Sequence, residues 1–273
     1  MNWSKSKTIF ILLFLAIDLA LLGYLAYDKA SDRWISQSEV EQVSTYLENR
    51  KIHLDTELLP RWMPKVRNLE FVNILDLSSS FLKQFESETK ELEHIGSHLE
   101  LKKGEKALKI SENYFEYQDM MERDYFLGSS SKTIHKLKPY FTELGFDIQE
   151  AEFQTIESNS ELLVFQMTQA AEGLSIDDIS VTITISSSGQ LKIQGIWLNP
   201  VKTPSEYKKA IVRPITSTLI EFSRKAGHEA TITEIAIRYR VDETKAYHKT
   251  FTAVAVWRIK TSDGECYYYN ARL

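Results

Sequence analysis

Cysteine is nearly absent from this 273-residue chain, and its single thiol, that of Cys266, rules out an internal disulfide. A region outside the cytoplasm would therefore hold together by packing alone, which suits a bacterium that does not rely on disulfides. Because three tyrosines follow Cys266, a buried structural thiol is favoured over a nucleophile. The motifs GxSxG, GxGxxG and the Walker loop are missing as well. The net charge of -5 argues against a nucleic acid partner.

What the chain does contain is one long apolar run at 8–27, interrupted near its centre by Asp18. At about 1.5 Å per helical residue, the run covers the roughly 30 Å of a bilayer's hydrocarbon core. Lys5 and Lys7 precede it, so the positive-inside bias predicts a cytoplasmic tail at 1–7 and an extracytoplasmic remainder. A cleaved signal peptide is the alternative, although its apolar core is usually about 7 to 15 residues long. We therefore predict a transmembrane helix at 8–27.

The remainder is expected to form two α+β domains. Hydrophobic residues make up 43% of the chain, enough for each domain to bury its own core. The Gly-Ser-Ser-Ser stretch at 128–131 is the best linker signal and places the domains at 31–128 and 132–273. A helix followed by antiparallel strands occurs twice in the second domain, at 132–200 and 205–273, which suggests a duplication. The predicted fold class is therefore α+β, with a single N-terminal transmembrane helix followed by helix-plus-antiparallel-sheet units.

Hydrophobic periodicity predicts the individual elements. Apolar residues at helical spacing indicate helices at 39–49, 131–144 and 205–226, and the acid-rich stretch at 81–93 is also prone to helix. The second and third of these helices are predicted to end at Gly145 and Gly227. Strands are predicted at 148–156, 162–169, 179–185, 190–198, 231–240, 251–260 and 266–269.

Few residues are candidates for chemistry. His94 and His98 have the spacing of two zinc ligands on a helix, but Gly96 lies between them and no third ligand is recognisable. Asp177 and Asp178 fall in a predicted loop, where a solvated turn is favoured over a calcium ligand. We expect no catalytic residue, no metal and no cofactor.

Asp18 is the residue of the apolar run whose insertion into a membrane is costly and requires an explanation. A carboxylate in the middle of a membrane helix costs about 2.5 to 3.5 kcal/mol on insertion scales, so it usually faces a partner. A tolerated residue, protonated or locally hydrated, is the alternative. Small residues gather on the opposite face, where they allow close approach of another helix. The predicted contact residues are Asp18, Phe14 and Leu22 on the first face and Ala16, Ala20 and Gly23 on the second.

Three segments resemble one protein family. The opening at 1–15, MNWSKSKTIFILLFL, and the ending at 255–271, AVWRIKTSDGECYYYNA, are similar to the two ends of YycI, also called WalI. YycI is a membrane-anchored regulator of the WalK histidine kinase in low-GC Gram-positive bacteria. The segment at 165–181, FQMTQAAEGLSIDDISV, is similar to the Q, G-x-x-I, V pattern of the fold that YycI shares with its sister YycH. The resemblance runs the full length of the chain, and its two ends are the specific parts.

The resemblance implies a single-pass protein of the cell membrane, with its N-terminus in the cytoplasm and no catalytic activity. Such a protein would regulate a WalK-like sensor histidine kinase together with a YycH-like partner, largely through transmembrane helices, in a two-component system for cell wall homeostasis. Relatives often carry an amide where this chain has Asp18 and an aliphatic residue in place of Tyr269. A cell-envelope scaffold, or a surface binding protein acting through its ectodomain, is the alternative.

Overall fold

The computed structural model describes residues 7, 11, 13–23, 34–75, 79–85, 98–111, 114–122, 129–201, 208–226, 229–241 and 250–272. Strands dominate this part of the chain. The helices are α1 (13–23), α2 (Gln37–Glu48), α3 (Ser80–Lys83), α4 (Ser130–Leu144) and α5 (Ile215–Ala226). The strands are β1 (Ile52–Leu54), β2 (Lys65–Val66), β3 (Leu69–Asn73), β4 (His98–Lys103), β5 (Lys106–Ser111), β6 (Tyr114–Met120), β7 (Glu152–Ser158), β8 (Leu162–Ala171), β9 (Leu174–Ser186), β10 (Gln190–Gly195), β11 (Leu198–Pro200), β12 (Ala210–Ile211), β13 (Ala230–Val241), β14 (Thr250–Thr261) and β15 (Cys266–Asn270).

The chain divides into two compact units, and each is built from separate stretches of sequence. Strands β13 and β14 contribute residues to both. Unit 1 consists of Met1–Val66, Lys209–Ala236 and Trp257–Leu273, and unit 2 consists of Arg67–Lys208 and Ile237–Val256. The domain limits predicted from sequence stay predictions, and Gly128, at the predicted linker, lies outside the described residues.

Unit 2 is organised around one curled sheet, in which nine neighbouring strands follow the order β11-β3-β14-β13-β9-β10-β6-β5-β4. Strand β8 pairs with β9, and β7 pairs with β8. Most of these pairs are antiparallel, but β9 and β13 run parallel, with Ile176 opposite Tyr239. Strand β9 shows the alternation that its sequence predicts, because Val181, Ile183 and Ile185 are buried and the intervening threonines are not.

The predicted fold class is wrong for the chain that the structure describes. This chain is mostly β, and it is not a transmembrane helix followed by separate helix-plus-sheet units. Phe71 of β3, in the predicted first domain, lies opposite Phe251 of β14, at the end of the predicted second domain. Tyr117 of β6 likewise lies opposite Ile193 of β10. Alternation identified the buried face of each strand, but it does not identify the neighbouring strand. No helix among the described residues is both long and apolar enough to span a membrane.

Helix α4 covers part of the unit 2 core. Its buried face consists of Thr133, Leu137, Phe141 and Leu144, one turn apart along the helix. The helix ends at Gly145, which takes the left-handed conformation with φ 93°, as the sequence predicts. The core below it is aromatic. The ring of Phe146 lies 5.6 to 5.9 Å, between centroids, from the rings of Phe81, Phe115, Phe141 and Trp197.

Unit 1 packs helices α2 and α5 with a smaller group of strands. Helix α2 begins with a capping box between Ser36 and Glu39, and it buries Val40, Val43 and Leu47 as predicted. Strand β1 runs parallel to β13, and β15 pairs with β14. Helix α5 starts at Ile215 rather than at the predicted residue 205, because β12 and then Pro214 occupy the preceding positions. The predicted end of this helix, Gly227, lies outside the described residues.

Candidate functional site

The strongest candidate site is a cleft of about 290 Å³ within unit 2. Four segments form its walls: the start of β3, the loop that follows α4, the turn between β8 and β9, and the end of β11. Its charged and amide side chains are those of Arg67, Glu70, Asp147, Gln149, Glu150, Gln169 and Glu172.

The wall after α4 is held in place by Asn199 of β11. The Asn199 Nδ2 atom donates to the carbonyl oxygen of Gly145 at 2.8 Å, and its Oδ1 atom accepts from the backbone N–H of Asp147 at 2.9 Å. The Asp147 carboxylate in turn accepts from the backbone N–H of Gln149 at 3.2 Å. The left-handed Gly145 lets the chain leave the helix at this angle. These bonds fix the loop that carries three of the polar groups of the cleft.

The opposite wall is a two-residue hairpin turn made by Glu172 and Gly173. Ala171 lies opposite Leu174, and the two turn residues have φ angles of 52° and 75°. A turn with two left-handed residues usually carries Asn-Gly or Gly-Gly, so a glutamate at its first position is unusual. The Glu172 carboxylate accepts from Arg67, whose Nη2 lies 2.8 Å away. The backbone N–H of Gly173 donates to Glu150 Oε2 at 2.9 Å.

Charge in the cleft is predominantly negative. The carboxylates of Glu70, Asp147, Glu150 and Glu172 line it together with one guanidinium, that of Arg67. The ion pair between Arg67 and Glu172 is about three-quarters buried, with side-chain exposures of 31% and 23%. A pair shielded to this degree is screened less by salt than a surface pair. The cleft therefore presents a fixed, acidic environment.

Gln169 is one of the residues that line this cleft, and its side-chain amide is buried. Its side chain is 3% exposed, and its Nε2 atom donates to the carbonyl oxygen of Leu198. Its Oε1 atom is buried and accepts no hydrogen bond in the described structure. Leaving a buried acceptor without a donor costs about 1 to 3 kcal/mol, so a hydrogen bond from an N–H or O–H group to this oxygen would be stabilising. Sequence reasoning missed Gln169. The available signal was a polar residue on the inward-facing positions of β8, in line with Phe165 and Met167.

A second cleft, of about 660 Å³, adjoins the first. The two share Asp147, Gln149, Pro200 and Val201. The second cleft is lined further by the polar side chains of Asn73, Ser79, Ser80, Thr142 and Asn199 and by the apolar Val72, Phe146 and Ile148. We call the two clefts together the groove. It joins a small acidic cleft to a larger one of mixed polarity.

Elsewhere in unit 2, Tyr117, Asp119 and Tyr140 form a hydrogen-bonded cluster. The two tyrosine hydroxyls lie 2.9 Å apart, and each donates to Asp119 Oδ2, at 3.0 Å from Tyr117 and 2.6 Å from Tyr140. Burial raises the pKa of both tyrosines well above the ordinary range, and the carboxylate beside them raises it further. The hydroxyls therefore remain donors. This cluster is suited to holding α4 against β6 and not to acting as a nucleophile.

No protein-family model matches this chain, and no curated protein matches it. One solved structure, that of an uncharacterized protein from Eubacterium rectale ATCC 33656, is similar in outline. It superposes with a TM-score of 0.45 at 11% sequence identity, covering 81% of this chain and 87% of that one. A likeness at this level carries no argument about function.

The contact residues predicted from sequence all lie in α1, and all are exposed. Phe14 and Leu22 are 62% and 63% exposed, and Asp18, Ala16, Ala20 and Gly23 are also open to solvent. The structure places them on one helix and shows no partner for them among the described residues. Their assignment as contact residues stays a prediction.

The other candidate residues from the sequence lie in different elements of the structure. Asp177 and Asp178 lie within strand β9 rather than in the predicted loop, and Asp178 lies 3.6 Å from Arg240. Cys266 begins β15 and is partly exposed rather than buried. His94 and Gly96 lie outside the described residues.

His98 starts β4, a strand, and not the helix that the zinc spacing would need. Within the described ranges, no three His, Cys, Asp or Glu side chains are placed to hold a metal ion.

Proposed function

We propose that this protein is a non-catalytic regulator at the cell membrane that acts by binding other proteins. The resemblance to YycI indicates the partners: a WalK-like sensor histidine kinase and a YycH-like protein. The observation that supports this proposal best is the exposure of α1. Its large side chains are open to solvent around the whole helix, with Leu13 at 53%, Phe14 at 62%, Leu19 at 61% and Leu22 at 63%.

A helix that is apolar on every side needs apolar surroundings on every side. The described part of this chain does not supply them, because every side chain from 13 to 23 is exposed. Contiguous exposed apolar surface of this kind usually marks a protein or membrane contact. Lipid, or an apolar segment of another protein, would cover it. Attachment to the membrane and to partners there is therefore the role that we propose for α1.

The groove of unit 2 supports binding rather than chemistry. Four of its ionisable groups are engaged with neighbours: Arg67 with Glu172, Glu150 with the backbone of Gly173, and Asp147 with the backbone of Gln149. Groups held in this way present charge and hydrogen bonds to a ligand. The groove also favours the second candidate function, that of a surface binding protein acting through its folded region.

Fractionation and co-purification test the proposal. We would express the tagged full-length chain, and a form that starts at Ser31, in a Gram-positive host with its own WalK-like kinase. The full-length chain should sediment with the membranes and should co-purify the kinase. The form without α1 should be released from the membranes.

A full-length chain found in the soluble fraction would refute membrane attachment. Equal recovery of the kinase by both forms would favour the second candidate function, because contact would then reside in the folded region. Asp18→Asn serves as a matched control, because it introduces the amide that YycI proteins often carry at this point and should keep both properties.

A further inference from the structure

We propose that the groove of unit 2 binds an extended segment of a partner protein and seats one arginine side chain of that segment in the acidic cleft. The inference goes beyond the regulatory role, because it concerns the ligand chemistry of unit 2 and holds whichever protein supplies the segment. Three observations carry it: the charge of the cleft, the unsatisfied amide of Gln169, and the shape of the groove.

The charge of the cleft favours a cation. Four carboxylates line it, and its one guanidinium, from Arg67, is already paired with Glu172. A bare metal ion does not fit, because no three carboxylates in the described structure converge on one point. Carboxylates spread around a cleft suit an extended organic cation, which meets them at several of its N–H groups.

Gln169 distinguishes this cleft from an ordinary acidic surface. Its buried Oε1 atom has no donor, while the neighbouring Nε2 atom is already committed to the carbonyl oxygen of Leu198. The missing partner must therefore be a donor. A guanidinium carries five N–H donors in one plane and can serve Gln169 and a carboxylate at once. A lysine ammonium is a compact, strongly hydrated charge and is less suited to this task.

The dimensions of the groove match one side chain and its flanking backbone. At about 290 Å³, the acidic cleft is at the small end of the range for ligand pockets. The adjoining 660 Å³ is lined by amide and hydroxyl groups, from Asn73, Asn199, Ser79 and Ser80, beside apolar surface. Side chains of this kind form hydrogen bonds with a peptide backbone.

The turn at Glu172 is consistent with this role. Its glutamate occupies a left-handed position that asparagine or glycine would fill at lower cost. Residues kept in costly backbone conformations often serve a site. The Glu172 side chain contributes a carboxylate to the cleft.

Peptide capture tests the inference. The full-length chain, solubilised in detergent and immobilised, would be offered three pools of dodecapeptides with random sequence around a fixed central residue. That residue is arginine in the first pool, citrulline in the second and norleucine in the third. Citrulline keeps the shape of arginine and removes its charge. A charged hydrogen bond changes affinity by roughly tenfold or more, so the arginine pool should be retained about tenfold better than either control pool.

Four variants locate the binding. Glu150→Gln and Glu172→Asn each remove one carboxylate, and Gln169→Met removes the amide acceptor at similar volume. Each should reduce the arginine preference at least threefold. Glu161→Gln is the matched control, because it makes the same charge change at an exposed residue that does not line the groove, and it should bind as the parent does. Thermal unfolding of each variant checks that it is folded, and the two carboxylate variants carry the test if Gln169→Met is not.

Equal retention of the arginine and citrulline pools would overturn the inference. So would a loss in Glu161→Gln as large as the loss in Glu150→Gln. Competition by free L-arginine as effective as that by the peptide pool would show a small-molecule site and would also refute the peptide proposal. The assay contains no kinase and no membrane, so its failure leaves the regulatory proposal standing, and failure of the fractionation test leaves this one standing.

Discussion

The cluster of Tyr117, Asp119 and Tyr140 allows one prediction to be worked through in detail. Tyr140 lies on α4 and Asp119 on β6, so their 2.6 Å hydrogen bond links the helix to the sheet. The substitution Tyr140→Phe deletes this bond and keeps the ring in place. Asp119 retains the hydroxyl of Tyr117 at 3.0 Å and the ammonium of Lys106 at 3.8 Å. The Asp119 carboxylate therefore keeps two partners in the variant.

The expected loss follows from these contacts. A hydrogen bond to a charged acceptor contributes about 1.5 to 3 kcal/mol, and the Asp119 side chain is only 10% exposed, so water replaces the lost hydroxyl poorly. Because Asp119 still accepts from other donors, we expect the free energy of unfolding to fall by an amount in the middle of that range, about 2 kcal/mol. The same change at Tyr114, whose side chain is 42% exposed, should cost less than about 0.5 kcal/mol.

Hydrogen exchange measures the loss where it occurs. Peptides covering β5, β6 and α4 of the full-length protein should exchange roughly 30-fold faster in Tyr140→Phe, the factor that corresponds to about 2 kcal/mol. Because the two hydroxyls also touch each other, Tyr117→Phe and Tyr140→Phe together should deviate from additivity by at least about 0.5 kcal/mol. Exchange in Tyr140→Phe within threefold of the parent would show that the bond does not hold α4 to the sheet.

Four further predictions concern the pH dependence of the same tyrosines and three other positions. Stability should fall as the pH rises above about 10, since the two buried tyrosines keep protons in the folded state that they lose on unfolding, and Tyr140→Phe should reduce the slope of urea unfolding free energy against pH. Gly195→Ala should lower the free energy of unfolding in urea by more than about 3 kcal/mol, because the φ angle of Gly195 is 145° and an added Cβ would meet the backbone of β9. Gly104→Ala, where an added Cβ meets open space, should lower it by about 1 kcal/mol. Cys266→Ser should change stability by less than about 1 kcal/mol, because the thiol is partly exposed, and it should leave the proposed regulation of a kinase intact; a stable variant that loses a regulation shown for the parent would reveal redox chemistry. Asp18→Leu should reach the membrane at normal levels and co-purify about 3-fold to 30-fold less of one partner, and unchanged recovery of both partners would refute a polar contact on that face.

Sequence patterns predicted the elements whose causes are local. Helix α2 was confirmed with its three buried residues, and α4 was confirmed with its end at Gly145, because periodicity and a left-handed cap operate within one or two turns. The start of α5 was predicted ten residues too early. Pro214 lacks a backbone donor and disfavours helix in the residue before it, so the helix begins only after this proline.

Pairing between distant strands could not be predicted in the same way. Alternation reports which side chains face the core and carries no information on the neighbouring strand, so the pairing of β3 with β14 was not predicted. The candidate site has the same difficulty. Arg67, Asp147, Gln169 and Glu172 come from three separate stretches of the sequence, and only the folded sheet brings them to one cleft. A polar residue on the buried face of β8 was the one local signal available.

The pairing of β3 with β14 also has a consequence for how the chain folds. Strand β3, with Phe71, can form its ladder only after β14, with Phe251, has been synthesised. Closing such a long loop is entropically costly, and folds that depend on distant pairs form slowly. Unit 1 also depends on distant segments, since β1 pairs with β13 and residues 257–273 belong to this unit. A chain synthesised only to about residue 249 can therefore complete neither unit. Strand edges that stay unpaired until β14 has been made are exposed to aggregation during that time.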